Sequence, residues 1–335
     1  MISSRAVRRG RRWATAAIAA VAVTAVGGCG LLGGSDDESG GNDKVEKATV
    51  KVGIIPQLID IAGFERARIA GYFEDEGLKV ELITVKSATE AVPKLKTGEL
   101  NFAFGNWSSF IAAQAEGAVD LQTVADGLQA KEGMTGLVAM PQSGIKSPKD
   151  LVGKSVGVNA LVGNVTLTSQ AVIEAADVDP SQVTFKVVPT ANALNALQTG
   201  QIDVMSLQEP NLTLAKQQLG VVVVADRATG PVADFPISGY VAPKDFVKKN
   251  PKTTAAFARA MAKGQGDMAD RQTVEKTLLD YAEIEPNTAK AVGVGVFPTK
   301  VDQTRLQKVA DLMLTYGQLK AKFDVAPMIY HAPAS

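Results

Sequence analysis

The sequence predicts an α/β protein of two open lobes joined by a two-strand hinge. Short apolar runs typical of buried strands alternate with helical stretches, and one strand–helix unit occurs twice, in residues 50–103 and in residues 154–220. The two copies share residues at a constant offset of 102 (197 − 95 = 102 and 203 − 101 = 102): Leu95, Thr97, Gly98 and Asn101 match Leu197, Thr199, Gly200 and Asp203. A unit that recurs once, in alternating strands and helices, favours two similar lobes over a solenoid.

The first 28 residues are typical of an export signal. Five arginines and no acidic residue precede or flank a short apolar run, Ala14–Val26, which ends in small residues before Cys29. This pattern resembles a bacterial lipoprotein signal, and the resemblance implies that Cys29 is lipidated and becomes the new N-terminus. An ordinary secreted protein with a chance cysteine is the alternative, and the general and twin-arginine export routes both stay open. We therefore expect an exported protein, lipid-anchored at the extracytoplasmic face of the cell membrane.

Residues 29–47 are expected to form a flexible tether. Gly, Ser, Asp and Glu dominate residues 30–42, and such a stretch cannot bury enough surface to offset its ordering entropy. Without the signal, the chain holds 30 basic residues (35 − 5 = 30) against 35 acidic ones, a net charge of −5. That balance argues against a broad basic surface for nucleic acid. Cys29 is the only cysteine, so the folded body has no thiol for a disulfide, a metal site or a nucleophile.

The first lobe is expected to comprise residues 48–140 and 240–335, and the second lobe residues 141–239. The expected strands, in chain order, are Val50–Ile54, Leu78–Val85, Phe102–Gly105, Leu121–Ala125, Gly136–Met140, Ser155–Val158, Thr184–Val188, Ile202–Met205, Val221–Ala225 and Ser238–Ala242. The chain is expected to cross into the second lobe at Met140-Pro141 and to return at Ser238–Tyr240. Two crossings would allow closure without unfolding either lobe.

The C-terminal part is expected to be helical and to wrap the first lobe. The expected helices are Thr253–Met268, Thr273–Ala282, Thr288–Val292 and Gln303–Tyr316. Ala256, Ala260 and Met261 form an apolar stripe at helical spacing, which indicates core packing.

A family resemblance rests on the run Gly71–Val80, which reads GYFEDEGLKV soon after the first strand. Together with the repeated Leu-x-Thr-Gly elements and Gln208-Glu209-Pro210, it resembles the solute-binding proteins of ABC importers for nitrate, sulfonates, taurine and thiamine precursors. The resemblance implies a type II periplasmic-binding-protein-like fold and partnership with an ABC permease and its ATPase subunit. It also implies that a small anion or zwitterion is bound, without a cofactor. We expect a monomer, and the solute stays open.

Enzyme signatures are scarce. His331, in a Pro-containing tail, is the only histidine, so a histidine-dependent triad or zinc site would depend on a terminal residue. No G-x-x-x-x-G-K-[ST] motif occurs, which leaves ATP hydrolysis to a partner. We expect no enzyme and no metal site. The alternatives are pyrimidine-precursor binding or a pyrimidine-synthase-like enzyme on the same fold, which would need histidine chemistry, and a lipoprotein that senses its ligand.

Four loops follow strands and open helices: Pro56–Asp60, Asn106–Ser109, Gly163–Thr166 and Gln208–Asn211. Ligands of open α/β lobes bind outside the carboxyl ends of the strands, so these loops are expected to converge on one cleft. Helix N-termini supply N–H donors and partial positive charge for an anion, and no arginine lies in these loops. The candidate ligand-binding residues are Gln57, Asp60, Asn106, Trp107, Ser108, Asn164, Val165, Thr166 and Glu209.

Each candidate also has a structural alternative. Asn106, Ser108, Asn164 and Thr166 suit helix capping, and Trp107 could stack on a ligand or pack beneath a helix. Asp60 and Glu209 would repel a simple anion but would pair with the amine of a zwitterion such as an aminosulfonate, or with an aminopyrimidine. For Glu209, which precedes Pro210 at a helix start, the structural role is slightly favoured.

Overall fold

A computed structural model describes residues 44–56 and 58–332, and this part of the chain contains ten strands and twelve helices. The strands are β1 (Thr49–Ile54), β2 (Lys79–Thr84), β3 (Phe102–Asn106), β4 (Leu121–Asp126), β5 (Thr135–Ala139), β6 (Ser155–Val158), β7 (Thr184–Val187), β8 (Val204–Gln208), β9 (Val222–Asp226) and β10 (Ser238–Pro243). The helices are α1 (Ala62–Ile69), α2 (Tyr72–Asp75), α3 (Ala88–Thr97), α4 (Trp107–Ala115), α5 (Asn164–Glu174), α6 (Ala193–Gln198), α7 (Asn211–Leu219), α8 (Lys244–Lys249), α9 (Pro251–Asp267), α10 (Arg271–Tyr281), α11 (Pro286–Ala291) and α12 (Gln303–Thr315).

The strands form two five-stranded sheets of the same topology. The first sheet has the order β2-β1-β3-β10-β4 and the second the order β7-β6-β8-β5-β9. In the first sheet β1 pairs parallel with β2 and β3, and β10 is antiparallel to its neighbours; in the second sheet β6 pairs parallel with β7 and β8, and β5 is antiparallel to its neighbours. The predicted two-lobed α/β architecture is therefore confirmed.

The repeated residues have equivalent structural roles in the two lobes. Gly98 and Gly200 both follow a helix with positive φ, 76° and 72°, which is favourable mainly for glycine. In the first lobe, Asn101 Oδ1 accepts a hydrogen bond from the Lys51 amide at 2.9 Å. In the second lobe, Asp203 Oδ2 accepts one from the Ser155 amide at 2.8 Å. The sequence repeat thus preserves a turn and a polar clamp between neighbouring strands.

Strand pairing moves one of the predicted lobe boundaries. β5 was expected in the first lobe, but it pairs with β8 and β9 of the second sheet. The first crossing therefore lies between Asp126 and Thr135, upstream of the predicted Met140-Pro141. In the second sheet β5 occupies the place that β10 has in the first sheet. The apolar pattern of β5 is compatible with either sheet. The sequence pattern alone therefore did not show which sheet β5 joins.

The two crossing segments, residues 127–134 and 227–237, pair with each other as a short antiparallel ribbon. The amide of Ala130 donates to the Phe235 carbonyl, and the amide of Ile237 donates to the Leu128 carbonyl, both at 2.8 Å. Residues near Val296 join the same ribbon, because Gln129 and Val296 exchange backbone hydrogen bonds of 2.8 and 3.0 Å. The predicted two-strand hinge is present, and a segment of the C-terminal part lies beside it.

The first lobe is built around an aromatic core. The rings of Phe102 and Phe257 stack with centroids 4.0 Å apart, and Phe64 stacks on Tyr240 at 5.6 Å. On the opposite face of the sheet, fully buried Trp107 packs closely against β10. A Cβ atom at Gly239 would lie 2.0 Å from the Trp107 ring, so this contact requires glycine.

Both ends of the described chain differ from expectation. The predicted tether includes Glu46 and Lys47, but the Glu46 carboxylate accepts hydrogen bonds from the amides of Lys252 and Thr253 at the start of α9. A carboxylate there satisfies helix amides that would otherwise lack partners, which anchors these residues. The C-terminal helices contact both lobes, since α12 packs against α4 and α5, and α11 packs against α7.

The predicted signal, the lipidation site Cys29 and most of the predicted tether lie outside the described residues. Within residues 44–56 and 58–332, none of the helices combines the length and the apolar character that a bilayer crossing requires.

Candidate functional site

Three of the four predicted loops meet at Ile237 and Ser238, where the second crossing enters β10. The hydroxyl of Ser238 donates to Asp60 Oδ2 at 2.9 Å. The Ile237 carbonyl accepts from the Trp107 amide at 3.2 Å and from Asn164 Nδ2 at 2.6 Å. Loops from both lobes are thus tied to one point of the hinge.

A small cavity of about 20 Å³ lies beside this point, between the strand ends of the second sheet and the crossing segments. That volume is close to the space of one water molecule. The fourth predicted loop reaches it through Gln208. The cavity is lined by Ala130, Thr135, Asn164, Val165, Thr168, Gln208, Arg227, Phe235 and Ile237. The lining therefore has one cation, four neutral polar residues, four apolar residues and no carboxylate.

Arg227 is the charged group of the cavity. It is buried, and two of its nitrogens are engaged: Nη1 donates to Thr168 Oγ1 at 2.7 Å and Nη2 donates to the Leu207 carbonyl at 2.9 Å. Its Nε has no hydrogen-bond partner, and no carboxylate forms a salt bridge with it among the described residues. Burial lowers the pKa of Arg227 to about 10, although the negative charge of Asp226 opposes the fall, so the guanidinium stays charged at neutral pH.

The N-terminus of α5 adds to this positive potential. Asn164 begins the helix, and both Asn164 and Thr168 line the cavity. An eleven-residue helix carries partial positive charge at its first turn. A buried cation beside a helix N-terminus, with no acid in the cavity wall, favours a negatively charged ligand.

A wider surface groove runs along α12 and has a volume of about 650 Å³. Arg305 and Lys308 line it together with Asp234 and Asp311, so its walls carry both signs of charge. Such a mixture does not favour one class of ion. We therefore place the candidate site at the small cavity lined by Arg227 and Asn164.

Of the predicted site residues, the structure places Asn164 and Val165 in the cavity wall. Thr166 lies on the same helix, but its hydroxyl donates to the Ala160 carbonyl at 2.6 Å and so closes the preceding loop. Gln57 lies outside the described residues.

The candidates of the first lobe have partners within that lobe or the hinge. Asn106 caps α4, since its Oδ1 accepts from the Ser109 amide and from the Ser108 hydroxyl, both at 2.9 Å. Trp107 packs against β10 at Gly239. These contacts are those of the capping and packing alternatives, and none of these residues lines the cavity.

Glu209 is buried and its carboxylate holds two elements together. Oε2 accepts from the Thr213 amide at 3.0 Å, and Oε1 accepts from the Thr213 hydroxyl at 2.9 Å and from the Gly293 amide at 3.0 Å. The carboxylate thus stabilises the first turn of α7 and binds the segment that follows α11. It is not part of the cavity wall.

Two buried carboxylates lie near the hinge on the side of the first lobe. Burial raises the pKa of Asp60 to about 6, although the Ser238 hydroxyl opposes the rise. Burial raises the pKa of Asp126 to about 7, with the charge of Arg305 and the Gly127 amide opposing it. Asp126 ends β4 directly before the first crossing. Neither carboxylate lines the cavity.

Sequence reasoning missed the residues that complete the cavity, namely Thr135, Thr168 and Arg227. Arg227 begins the second crossing directly after β9, in a stretch that looks like an ordinary polar loop. The position of Arg227 is the feature that could have identified it. Asp226, which precedes it, is equivalent to Asp126 of the first lobe: Asp126 pairs with Gly239, and Asp226 pairs with Gly136. Arg227 follows Asp226, the last residue of β9, and so lies at the start of a crossing between the lobes.

No group of three or more His, Cys, Asp or Glu side chains within the described ranges is arranged to hold a metal ion. His331 is exposed and lies after the last structured turn, outside the cavity wall.

Comparisons with known proteins agree with this architecture. A Bacillus subtilis (strain 168) protein named for the binding of aliphatic sulfonates is 25% identical over 244 residues, covering 70% of this chain and 68% of that protein. The periplasmic aliphatic sulphonate binding protein SsuA from Escherichia coli superposes with a TM-score of 0.72 at 18% identity, over 86% of this chain and 94% of that chain. The periplasmic nitrate-binding protein NrtA from Synechocystis PCC 6803 gives a TM-score of 0.67 at 16% identity, over 84% and 85%.

The structural neighbours share the two-lobed periplasmic-binding-protein fold with this chain. The family model described as NMT1/THI5 like matches residues 59–275, well over half of the 335 residues. The chain therefore belongs to the NMT1/THI5-like family.

Proposed function

We propose that this protein is an extracytoplasmic solute-binding lipoprotein that captures a small anion between its lobes and delivers it to an ABC permease. The observation that carries the proposal is Arg227, a buried guanidinium with a free Nε in a cavity wall that contains no carboxylate. A buried charge is costly unless it is paired. An anionic ligand would supply that pairing.

The comparisons support the same class of ligand. One relative is named for aliphatic sulfonates, and two structural neighbours carry names for aliphatic sulphonate and nitrate binding. Sulfonate and nitrate share a compact anionic group with several acceptor oxygens. Arg227 and the N-terminus of α5 together offer the charge and the donors that such a group requires.

Entry of a ligand requires movement. A sulfonate group is larger than a cavity of about 20 Å³, so the lobes have to part to admit it. The paired crossings at Leu128–Ala130 and Phe235–Ile237 are the hinge that would allow this, because only loop residues need to change conformation.

A thermal-shift panel tests the proposal. The protein is heated with propane-1-sulfonate, 2-hydroxyethanesulfonate, nitrate or sulfate, and with ethylene glycol as an uncharged control. A bound anion stabilises the native state by mass action, by about 2.7 kcal/mol at one hundred times its dissociation constant, so at least one anion should raise the unfolding temperature in a saturable way. If no anion does so over the range from micromolar to millimolar concentration, the anion-binding function is wrong.

The remaining parts of the proposal concern location and partners. We infer that Cys29 is acylated, that the chain acts as a monomer, and that a permease with an ATPase subunit receives the solute; the predicted lipoprotein signal supports the first point. Cys29→Ala should move the protein from the membrane fraction to the soluble fraction while its anion affinity stays unchanged. A Cys29→Ala protein that remains in washed membranes would exclude the lipid anchor.

A further inference from the structure

Three residues of the cavity wall each carry a buried polar atom without a hydrogen-bond partner. Thr135 Oγ1, Asn164 Oδ1 and Arg227 Nε are buried and lack hydrogen-bond partners in the described part of the chain, and all three residues line the cavity wall. They come from three different elements: the start of β5, the start of α5 and the segment after β9. Buried polar atoms are normally paired, so their convergence indicates a ligand with complementary groups.

The orientation of the Asn164 amide is fixed by its surroundings. Its Nδ2 donates to the Ile237 carbonyl at 2.6 Å, and a carbonyl oxygen can only accept. The amide nitrogen must therefore face Ile237, which leaves Oδ1 on the other side of the amide without a partner. Arg227 is also held in place, because each of its two terminal nitrogens donates one hydrogen bond, to Thr168 and to the Leu207 carbonyl, while Nε has no partner.

Arg227 Nε and Asn164 Oδ1 require hydrogen-bonding groups of opposite kinds from a ligand. Arg227 Nε–H only donates, so it needs an acceptor such as an anionic oxygen. Asn164 Oδ1 only accepts, so it needs an N–H or O–H donor, while the Thr135 hydroxyl suits either. An anion without a donor would satisfy Arg227 but leave the buried Asn164 oxygen unpaired, and a site built to bond a ligand hydroxyl discriminates strongly against an analogue that lacks it.

The charge of the wall restricts the donor further. An ammonium group would sit in a cavity that already contains the Arg227 cation and the start of α5, without any lining carboxylate. Asp60, one of the two carboxylates that were candidates for pairing with a ligand amine, accepts from Ser238 and is not part of the wall. A hydroxyl or another uncharged donor can donate to Asn164 Oδ1 without being repelled by the Arg227 cation.

We propose that Asn164 makes this site selective for small anions that carry an uncharged hydrogen-bond donor, such as hydroxyalkanesulfonates, over plain alkyl anions and aminoalkanesulfonates. This inference rests on the proposed anion-binding function.

The test is calorimetric titration with three probes of similar size: 2-hydroxyethanesulfonate, propane-1-sulfonate and 2-aminoethanesulfonate. In the wild type, the hydroxylated probe should bind at least about tenfold more tightly than each of the others. Asn164→Leu should reduce that preference over propane-1-sulfonate to less than about threefold. Asn195→Leu, at an exposed position of α6 in the same lobe, should leave all three affinities unchanged.

The contrary outcomes separate the two claims. If no sulfonate binds the wild type, the proposed function fails; if sulfonates bind without preference, or if Asn164→Leu keeps the preference, only the selectivity of Asn164 fails. If 2-aminoethanesulfonate binds more tightly than 2-hydroxyethanesulfonate, the claim that the site prefers an uncharged donor is wrong. If Asn164→Leu lowers the unfolding temperature but keeps the wild-type preference among the sulfonates, the unpartnered polar atoms bind a structural water and not the ligand. Where Asn164→Leu does not fold, Asn164→Ala removes the same acceptor and gives the same readout.

Discussion

Arg227 owes its position to contacts that are distant in sequence. Thr168 lies 59 residues before it and Leu207 lies 20 residues before it. The four strand-end loops contain no arginine, so the sequence-based prediction attributed the positive potential of the site to helix N-termini alone. Only the folded chain brings the guanidinium to the same wall as Asn164. By contrast, Asn106 and Asp302 have capping roles that local sequence reveals, since each accepts from an amide three residues later.

Asp126 makes stability depend on pH. Because burial raises its pKa to about 7 from an ordinary value of 3.8, the native state binds a proton more tightly than the unfolded chain does. The stabilising contribution is complete below about pH 4 and is lost as pH rises through about 7, with a slope of up to about 1.4 kcal/mol per pH unit. Asp60, with a pKa of about 6, adds in the same direction.

Urea unfolding between about pH 5 and pH 8 measures this dependence. Asp126→Asn should flatten the decline in the free energy of unfolding over this range and leave the smaller part due to Asp60. Asp150→Asn serves as control, because the amides of Lys146 and Ser147 lower the pKa of exposed Asp150 and its titration lies below this range. An unchanged slope in Asp126→Asn would show that this carboxyl group is not buried as described.

At the scale of elements, α1 and α9 pack through glycines. A Cβ atom at Gly264 of α9 would lie 2.2 Å from the Gly63 carbonyl oxygen of α1 and 2.7 Å from Ala67 Cβ. Two residues later, a Cβ atom at Gly266 would meet nothing closer than Thr299 Cγ2 at 3.9 Å. Close backbone approach therefore explains one glycine and not the other.

These two positions form a matched pair for mutation. Gly264→Ala should destabilise the protein by about 1–3 kcal/mol or more, because the helices must separate to admit a methyl group. Gly266→Ala should be neutral or stabilising by up to about 1 kcal/mol, as expected for alanine in place of glycine in a helix. Chemical denaturation of both variants provides the measurement. Equal effects would contradict the close approach of α1 and α9.

The sequence predicted most elements because their signals are local. Strand and helix periodicity lies within each segment, and the repeat at an offset of 102 reflects the turn and clamp that both lobes share. The assignment of β5 to the first lobe was wrong, since which sheet an apolar strand joins depends on pairing with β8 and β9, about 70 and 85 residues away. The C-terminal contacts with the second lobe, such as the hydrogen bond of 3.1 Å from the Gly163 amide to Gln318 Oε1, are non-local in the same way.

At the scale of the whole molecule, both crossings between the lobes meet the candidate site. The crossings contribute Ala130, Phe235 and Ile237 to the cavity wall, and Arg227 begins one of them. The third segment of the hinge ribbon, near Val296, follows the Gly293 amide that Glu209 holds. A ligand bound at Arg227 would therefore contact the part of the chain on which the relative position of the lobes depends.

Calorimetric titration of Arg227→Met tests the central claim most directly. The probe is propane-1-sulfonate or 2-hydroxyethanesulfonate, whichever binds the wild type more tightly. Methionine keeps much of the side-chain volume but removes the charge, so affinity should fall by about 30- to 1,000-fold, as for the loss of one member of a buried charged pair. The control is Arg259→Met, since Arg259 is exposed and pairs with Glu76 on the surface at 2.7 Å; it should bind like the wild type. Wild-type affinity in a folded Arg227→Met protein would contradict the assignment of the anion site to this cavity.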